Sequence, residues 1–349
     1  MRFIHIADVH LGAEPDAGSA YSEVRPRELW ETFGKVVSIC ETEQIDLLLI
    51  AGDLFHRQPL LRELKEVNYL LSSLSHTKVV LIAGNHDYIA AGSYYRTFQW
   101  GENVYPLFEP EVTYVVFEEL DTAVYGFSYF SREVREPKYD SVKAQGAAGC
   151  EILLAHGGDE KHVPIHRSAL ERSGFDYVAL GHIHRQHHLI SHYAVYAGAL
   201  EPTDKNDTGH HGFIQGEIQN GTVRTEFILM AKREYLHLVL KVNPEMTMGT
   251  IRTWIRQIIK ERGLENLYQF TLKGFRDADL AIEPEGLMVS GNILGITDGT
   301  RAAYDMNRLS EENRDNLIGK YIGLFDGCEE GSVEEQALYE GVRALLESR

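Results

Sequence analysis

The sequence predicts a layered α/β domain, α+β in its layering, followed by a smaller β-α-β module, and three observations lead to that expectation. Short apolar runs alternate with amphipathic helical stripes through the first 200 residues. Five of those runs are followed at once by Asp, Asn or His. Beyond about residue 233 the pattern changes to an alternating strand, one helical stripe and a second strand.

Residues 3–7, 47–51, 79–83, 152–155 and 178–180 are nearly continuous apolar runs of strand length, the pattern of strands buried on both faces. Between the first two runs Leu29, Phe33, Val36, Val37 and Cys40 recur at helical spacing, and Leu64, Val67, Leu71 and Leu74 do so between the second and third. Strand, helix, strand order implies a largely parallel or mixed central sheet. Farther on, Leu236, Leu238, Leu240 and Val242 alternate as in a strand with one buried face. Ile251, Trp254, Ile255, Ile258 and Ile259 then form a helical stripe that stops near Gly263, and residues 267–273 read as another strand. In the last segment Ser310 precedes a stripe through Leu317, Tyr321 and Leu324, while Ser332 and Glu335 form a capping box before Leu338, Val342, Leu345 and Leu346. Glu329, Glu330, Glu334 and Glu335 read as a solvated acidic face. The expected domains are 1–230, 231–300 and 301–349.

With 349 residues and 44% hydrophobic content, the chain can bury a large core. It contains no run of about 18 apolar residues and no secretory h-region, so the expectation is a cytoplasmic protein without a membrane span. Cys40, Cys150 and Cys328 lie far apart without paired spacing, which gives neither a disulfide framework nor a thiolate zinc site. A net charge of −18 repels polyanions unless positive charge is concentrated locally. Two bound divalent ions would bring about four positive charges to one point, so acidity argues against a free-standing nucleic-acid binder without excluding a nuclease that works inside a complex.

The chemistry rests on the residues placed directly after each strand. Asp8 and His10 come after the first, Asp53 after the second, Asn85 and His86 after the third, His156 after the fourth, and His182 and His184 after the fifth. Open α/β sheets place their sites at the carboxyl ends of strands, so these loops should converge. Each motif is weak alone; together they define a cluster. Carboxylate, imidazole and carboxamide ligands without thiolate suit Mn(II), with Fe or Zn as alternatives. The set exceeds what one tetrahedral ion needs, and a carboxylate can bridge, so two ions sharing Asp53 would use it fully.

D-V-H at 8–10, G-D-L-F-H-R at 52–57, G-N-H-D at 84–87, H-G-G at 156–158 and G-H-I-H at 181–184 resemble the calcineurin-like metallophosphoesterases. Within them the chain is similar to the SbcD-type bacterial DNA repair exonucleases, and the stretch at 196–204 with H-G-F at 211–213 resembles the YhaO-like branch. The resemblance covers roughly the first 215 residues. It implies a four-layer β-sandwich flanked by helices, so the sheet read as single becomes two mixed sheets, and it makes the β-α-β module a capping domain. It implies one metal held by Asp8, His10, Asp53 and His184 and a second by Asp53, Asn85, His156 and His182. His86 would then meet the phosphate and help the leaving oxygen depart, with Asp87 orienting it from behind.

His56 leans the reading toward a nuclease, since in repair exonucleases a histidine here helps set the DNA end against the metals; otherwise it simply begins a helix. Tyr94, Tyr95, Phe98 and Trp100 fit burial beneath a loop better than a base-stacking platform. His187, His188, His192, His210 and His211 are expected on a surface loop and strand rather than at a third metal site. The resemblance thus implies a metal-dependent DNA exonuclease or endonuclease acting as a homodimer with an SbcC-like ATPase. Two alternatives remain: a small-molecule phosphodiesterase or phosphatase, which would need no partner, and a scaffold that has lost catalysis.

Overall fold

The computed structural model describes residues 1–329 and 331–348, and the chain divides into two compact units, Met1–Tyr235 and Leu236–Arg349. Glu330, one member of the expected acidic face, lies outside the described residues.

The first unit begins β1 (Arg2–Ile6), α1 (Arg25–Thr42), β2 (Leu47–Ala51), α2 (Leu61–Ser72), β3 (Lys78–Ile82) and β4 (Val104–Pro106). It continues with β5 (Thr113–Phe117), β6 (Thr122–Gly126), β7 (Cys150–His156), α3 (Arg167–Leu170), β8 (Tyr177–Gly181), β9 (His187–Ile190), β10 (Ala194–Tyr196), β11 (Gly212–Gln219) and β12 (Thr222–Leu229). The strands form two six-stranded sheets, ordered β12-β11-β1-β2-β3-β4 and β5-β6-β7-β8-β10-β9. Both are mixed: β1, β2, β3 and β4 run parallel while β11 pairs antiparallel with both β1 and β12, and β6, β7, β8 and β10 run parallel between antiparallel β5 and β9.

The single central sheet read from strand and helix order gives way to the two mixed sheets that the resemblance implied. Side chains at alternate positions explain it. Phe3, Leu47, Leu49, Val80 and Ile82 from the first sheet meet Val124, Ile152, Leu154, Tyr177 and Ala179 from the second in one buried cluster. The opposite face of the first sheet, with Ile4, Leu48 and Ile50, is covered by Leu29, Phe33, Val36 and Cys40 of α1 and Leu64, Val67 and Leu71 of α2. On the far side of the second sheet Tyr125, Leu153, Ala155 and Val178 pack with Tyr139, Val163 and Leu170. A strand covered on both faces is apolar at every position, so its sequence cannot say whether a helix or another sheet lies above it.

The second unit is built on β13 (Tyr235–Val242), whose first residue closes the other unit, with β14 (Leu267–Arg276) and β15 (Ile293–Ala302) in the order β13-β14-β15. Helix α4 (Met248–Arg262) buries Ile251, Ile255 and Ile259 on Leu240, Tyr268, Phe270 and Leu272. It starts where Thr247 accepts a hydrogen bond from the Thr250 N–H and ends at Gly263, whose φ is +118°. The pattern missed β15, which runs parallel to β14. Helices α5 (Met306–Glu312), α6 (Leu317–Gly323) and α7 (Val333–Glu347) follow. Ser332 caps α7 as expected, but the Glu335 carboxylate accepts the Gly331 N–H instead of closing the capping box; Ser310 lies inside α5 and the α6 cap is Asn316. Phe275 of β14 and Tyr339 of α7 have ring centroids 5.6 Å apart, so the terminal helices share a unit with the sheet. No helix among the described residues is long and apolar enough to cross a membrane.

Candidate metal centre

The loops after β1, β2, β3, β7 and β8 meet at one edge of the facing sheets, and backbone hydrogen bonds tie them there. Asp8 N–H donates to the Gly52 carbonyl (3.2 Å), His10 N–H to the Asp53 carbonyl (3.0 Å), and Gly157 N–H to the Gly181 carbonyl (3.2 Å). The backbone leaves the ordinary regions at the residues that matter: Asp8, His10 and Asp53 have φ of +50° and His182 of +96°. Such conformations cost on the order of 1–3 kcal/mol each and persist where surrounding structure holds them.

Two groups of donor atoms result, each packed within 4.8 Å: Asp8, His10 and His184 in one, Asp53, His156 and His182 in the other. The His10 and His184 Nε2 atoms face each other at 3.0 Å. Asn85 Oδ1 lies 2.9 Å from His156 Nε2 and 3.0 Å from His182 Nδ1. Asp53 Oδ2 is 3.3 Å from His156 Nε2, while Asp53 Oδ1 accepts the His86 N–H at 2.8 Å. The His156 ring is fixed from behind, its Nδ1 2.8 Å from the Ala51 carbonyl. A carbonyl only accepts, so Nδ1 carries a hydrogen and Nε2 is the nitrogen left to face a cation.

Two glycines make room. A Cβ on Gly84 would stand 2.2 Å from Asp53 Oδ1 and 2.7 Å from His156 Nε2; one on Gly52, at φ +83°, would stand 2.4 Å from His156 Nδ1. The G-D and G-N-H motifs need glycine because the Asp53 and His156 side chains from other loops occupy that space.

The charge balance tests whether a cation fits. Asp8, Asp53 and Asp87 are buried together, with imidazoles rather than Lys or Arg facing Asp8 and Asp53. Burial pushes Asp8 up to about 6 against the pull of His156 and His184. Burial and the neighbouring Asp53 carboxylate push Asp87 up to about 7. Burial opposes ionisation of Asp53 too, yet the charges of His156, His10 and His86 outweigh it and hold that carboxyl far below the usual range. Burial drives His10 well below its ordinary value and His182 down to about 4. Burial acts the same way on His156, but Asp53 and Asp8 reverse it, to about 9; Asp207 and Asp8 do so for His184, also to about 9. Carboxylates driven toward protonation and imidazoles facing one another are groups short of positive charge, and divalent cations fit them.

At the rim, His10, His56 and His86 form a further close group, with ring centroids 4.9 to 5.2 Å apart. His86 Nδ1 lies 3.0 Å from the His56 carbonyl. The expectation that Asp87 orients the His86 ring is corrected. Its Oδ1 accepts Gly84 N–H (2.8 Å), and its Oδ2 accepts Phe55 N–H (3.2 Å) and the Tyr95 hydroxyl (2.9 Å). A buried carboxylate takes the donors within reach, and here those belong to the two loops it joins. Tyr95 is buried, Phe98 and Trp100 pack partly buried on the same core, and Tyr94 is exposed.

Sequence reasoning missed Asp159 and Asp207. Asp159 Oδ2 lies 2.8 Å from His182 Nε2, and Asp207 Oδ2 lies 3.0 Å from His184 Nδ1. Burial works against both carboxylates, but the histidines beside them hold both below their ordinary range. The fourth close group, Asp159, His162 and His182, is held by hydrogen bonds, since His162 Nδ1 is also 2.9 Å from Asp159 Oδ2. An aspartate directly after H-G-G was a signal available for Asp159; nothing in the sequence set Asp207 apart. His187, His188, His192 and His210 are exposed, but His211, expected on the surface, is buried with both ring nitrogens on backbone carbonyls.

Residues 1–186 match the family model for calcineurin-like phosphoesterases. The uncharacterized metallophosphoesterase YhaO of Bacillus subtilis is 29% identical over 248 residues, covering 65% of this chain and 60% of that protein. The DNA double-strand break repair protein Mre11 of Methanopyrus kandleri is 27% identical over 295 residues, covering 74% of this chain and 64% of that protein. Its counterpart in Halobacterium salinarum is 26% identical over 290 residues, covering 76% and 68%. The chain thus spans less than two thirds of the length of the first two relatives.

Proposed function

The chain belongs to the calcineurin-like phosphoesterase family, and on that premise we propose that it is a dinuclear-metal phosphodiesterase that trims DNA ends, as a homodimer working with an SbcC-like ATPase. The observation that carries the reading is the convergence of two donor groups, Asp8, His10 and His184 in one and Asp53, His156 and His182 with Asn85 in the other, with His56 and His86 at the rim. Similarity to proteins named as double-strand break repair factors supports the choice of DNA.

In this reading Asp8, His10, Asp53 and His184 hold one ion, and Asp53, Asn85, His156 and His182 hold the other, with Mn(II) the metal and Fe or Zn able to replace it. Bound there, two divalent ions supply the Lewis-acid charge that stabilises a phosphoryl group under attack. The chain's own part is positioning and proton traffic. His86 keeps Nδ1–H on the His56 carbonyl, so its Nε2 is the nitrogen that delivers a proton to the departing oxygen. His56 is exposed beside it and guides the strand end. Asp87 acts indirectly, holding the loops of Gly84 and Phe55 in register.

A net charge of −18 favours a second reading, a phosphodiesterase or phosphatase for small molecules, which needs no surface attractive to a polyanion. Substrate profiling separates the two. The manganese-loaded protein should shorten end-labelled DNA, alone or with its ATPase; cleavage of a chromogenic diester with DNA left intact under both conditions assigns the small-molecule activity instead.

A further inference from the structure

Two histidines separated by one residue, His182 and His184, enter the same centre from one loop, and each has two ring nitrogens that could face it. We propose that Asp159 and Asp207 are positioning residues that lock these histidines in opposite tautomers, so that His182 presents Nδ1 and His184 presents Nε2. The proposal rests on reading the cluster as a metal centre; it does not depend on the substrate.

The geometry is specific on both rings. His182 has Nε2 on Asp159 Oδ2 at 2.8 Å and Nδ1 toward the centre, 3.0 Å from Asn85 Oδ1. His184 is turned the other way, with Nδ1 on Asp207 Oδ2 at 3.0 Å and Nε2 toward the centre, 3.0 Å from His10 Nε2. An ionised carboxylate accepts only, so the nitrogen beside it bears the hydrogen and the opposite nitrogen keeps its lone pair. A proton held on the outer nitrogen also makes the inner one a better donor, which is why such outer carboxylates commonly alter metal affinity about 10–100-fold.

Both carboxylates are themselves fixed. Asp207 Oδ2 accepts from Thr203 N–H (3.0 Å), Thr203 Oγ1 (3.1 Å) and Asp204 N–H (3.2 Å). Asp159 Oδ1 accepts from Lys161 N–H (2.7 Å) and His162 N–H (3.0 Å), and His162 Nδ1 sits beside the same carboxylate. His182 is additionally held at its backbone, where its N–H donates to Asp8 Oδ2 at 2.9 Å. The loop after β7, through Asp159, and the loop between β10 and β11, through Asp207, therefore decide which nitrogen each histidine offers. His156 needs no such carboxylate because the Ala51 carbonyl does the same work.

The test uses Asp159→Asn and Asp207→Asn in the full chain, with Asp→Glu at each position as the conservative variant. Mn(II) affinity is measured by competition with a chelator, and imidazole ¹⁵N shifts are recorded on the Zn(II)-loaded protein. The parent should show His182 coordinated through Nδ1 and His184 through Nε2. Each Asn variant should weaken one of the two ions about 10–100-fold and leave the other at parental affinity, with the Glu variants recovering part of the loss and unfolding temperatures near the parent's. If the parent binds two ions and the Asn variants bind both equally well, or if His184 coordinates through Nδ1, the positioning role is wrong while the metal centre stands. A parent that takes up no Mn(II) removes the metal centre and this role together.

Discussion

The Tyr95 hydroxyl stands 2.9 Å from the Asp87 carboxylate, which also gathers the N–H groups of Gly84 and Phe55 and makes no hydrogen bond to the His86 ring. The carboxylate next to the rim histidine in sequence is therefore a fastener between the loops after β2 and β3. Tyr95→Phe should lower stability by about 1–3 kcal/mol through loss of a buried hydrogen bond, read by denaturant unfolding, with metal stoichiometry unchanged. Asp87→Ala should cost more and should also weaken metal binding, because Gly84 and Phe55 lose their shared acceptor. A His86-like loss of turnover in Asp87→Ala with full stability and full metal content would contradict the fastener role.

His86→Ala should lower turnover about 10²–10⁴-fold, the usual contribution of a positioned proton donor, while metal analysis shows both ions retained. Loss of metal in this variant would instead make His86 a ligand.

His56→Ala should reduce attack on DNA ends more than cleavage of a simple diester. Its ring lies 4.9 Å from that of His86 and 5.2 Å from that of His10, at the exposed rim. Equal losses on both substrates would leave it without a role particular to DNA.

Gly84→Ala introduces a methyl group 2.2 Å from Asp53 Oδ1 and 2.7 Å from His156 Nε2. Metal uptake should fall sharply while far-ultraviolet circular dichroism stays close to the parent's. A variant that still binds metal as the parent does would show that Asp53 and His156 lie apart in solution.

Burial of His5 between the sheets holds its ring down at about 3, against an ordinary value of 6.5. The unfolded chain therefore takes up a proton that the folded chain refuses, so His5 erodes stability as pH falls through 6.5 toward 3, by about 2 kcal/mol at pH 5. His5→Phe should flatten that decline relative to the parent when both are unfolded with chelator present. Parallel stability curves from about pH 7 to pH 5 would rule out this contribution.

Much of the fold was legible because burial leaves a mark on local sequence. The runs at 47–51 and 79–83 became β2 and β3, and the stripes of α1, α2 and α4 face the core as their spacing requires. Strands β4 to β6, β9 to β12 and β15 escaped notice, most of them because they are short or half-exposed and mix polar with apolar residues. The candidate donors were legible for a different reason: each sits directly after a strand, and only certain residue types bring a lone pair to a cation.

By itself the sequence determined which residue types end each buried strand, and through them the chemistry this edge of the molecule can perform. Tertiary structure alone decided that Asp87 holds Tyr95 and the loops of Gly84 and Phe55, and that Asp159 and Asp207 reach His182 and His184. The physical reason is range. Local pattern records whether a side chain is buried, whereas the partner of a particular lone pair or proton comes from a loop 23 residues away, as for His182 with Asp159 and His184 with Asp207, and only folding brings it there.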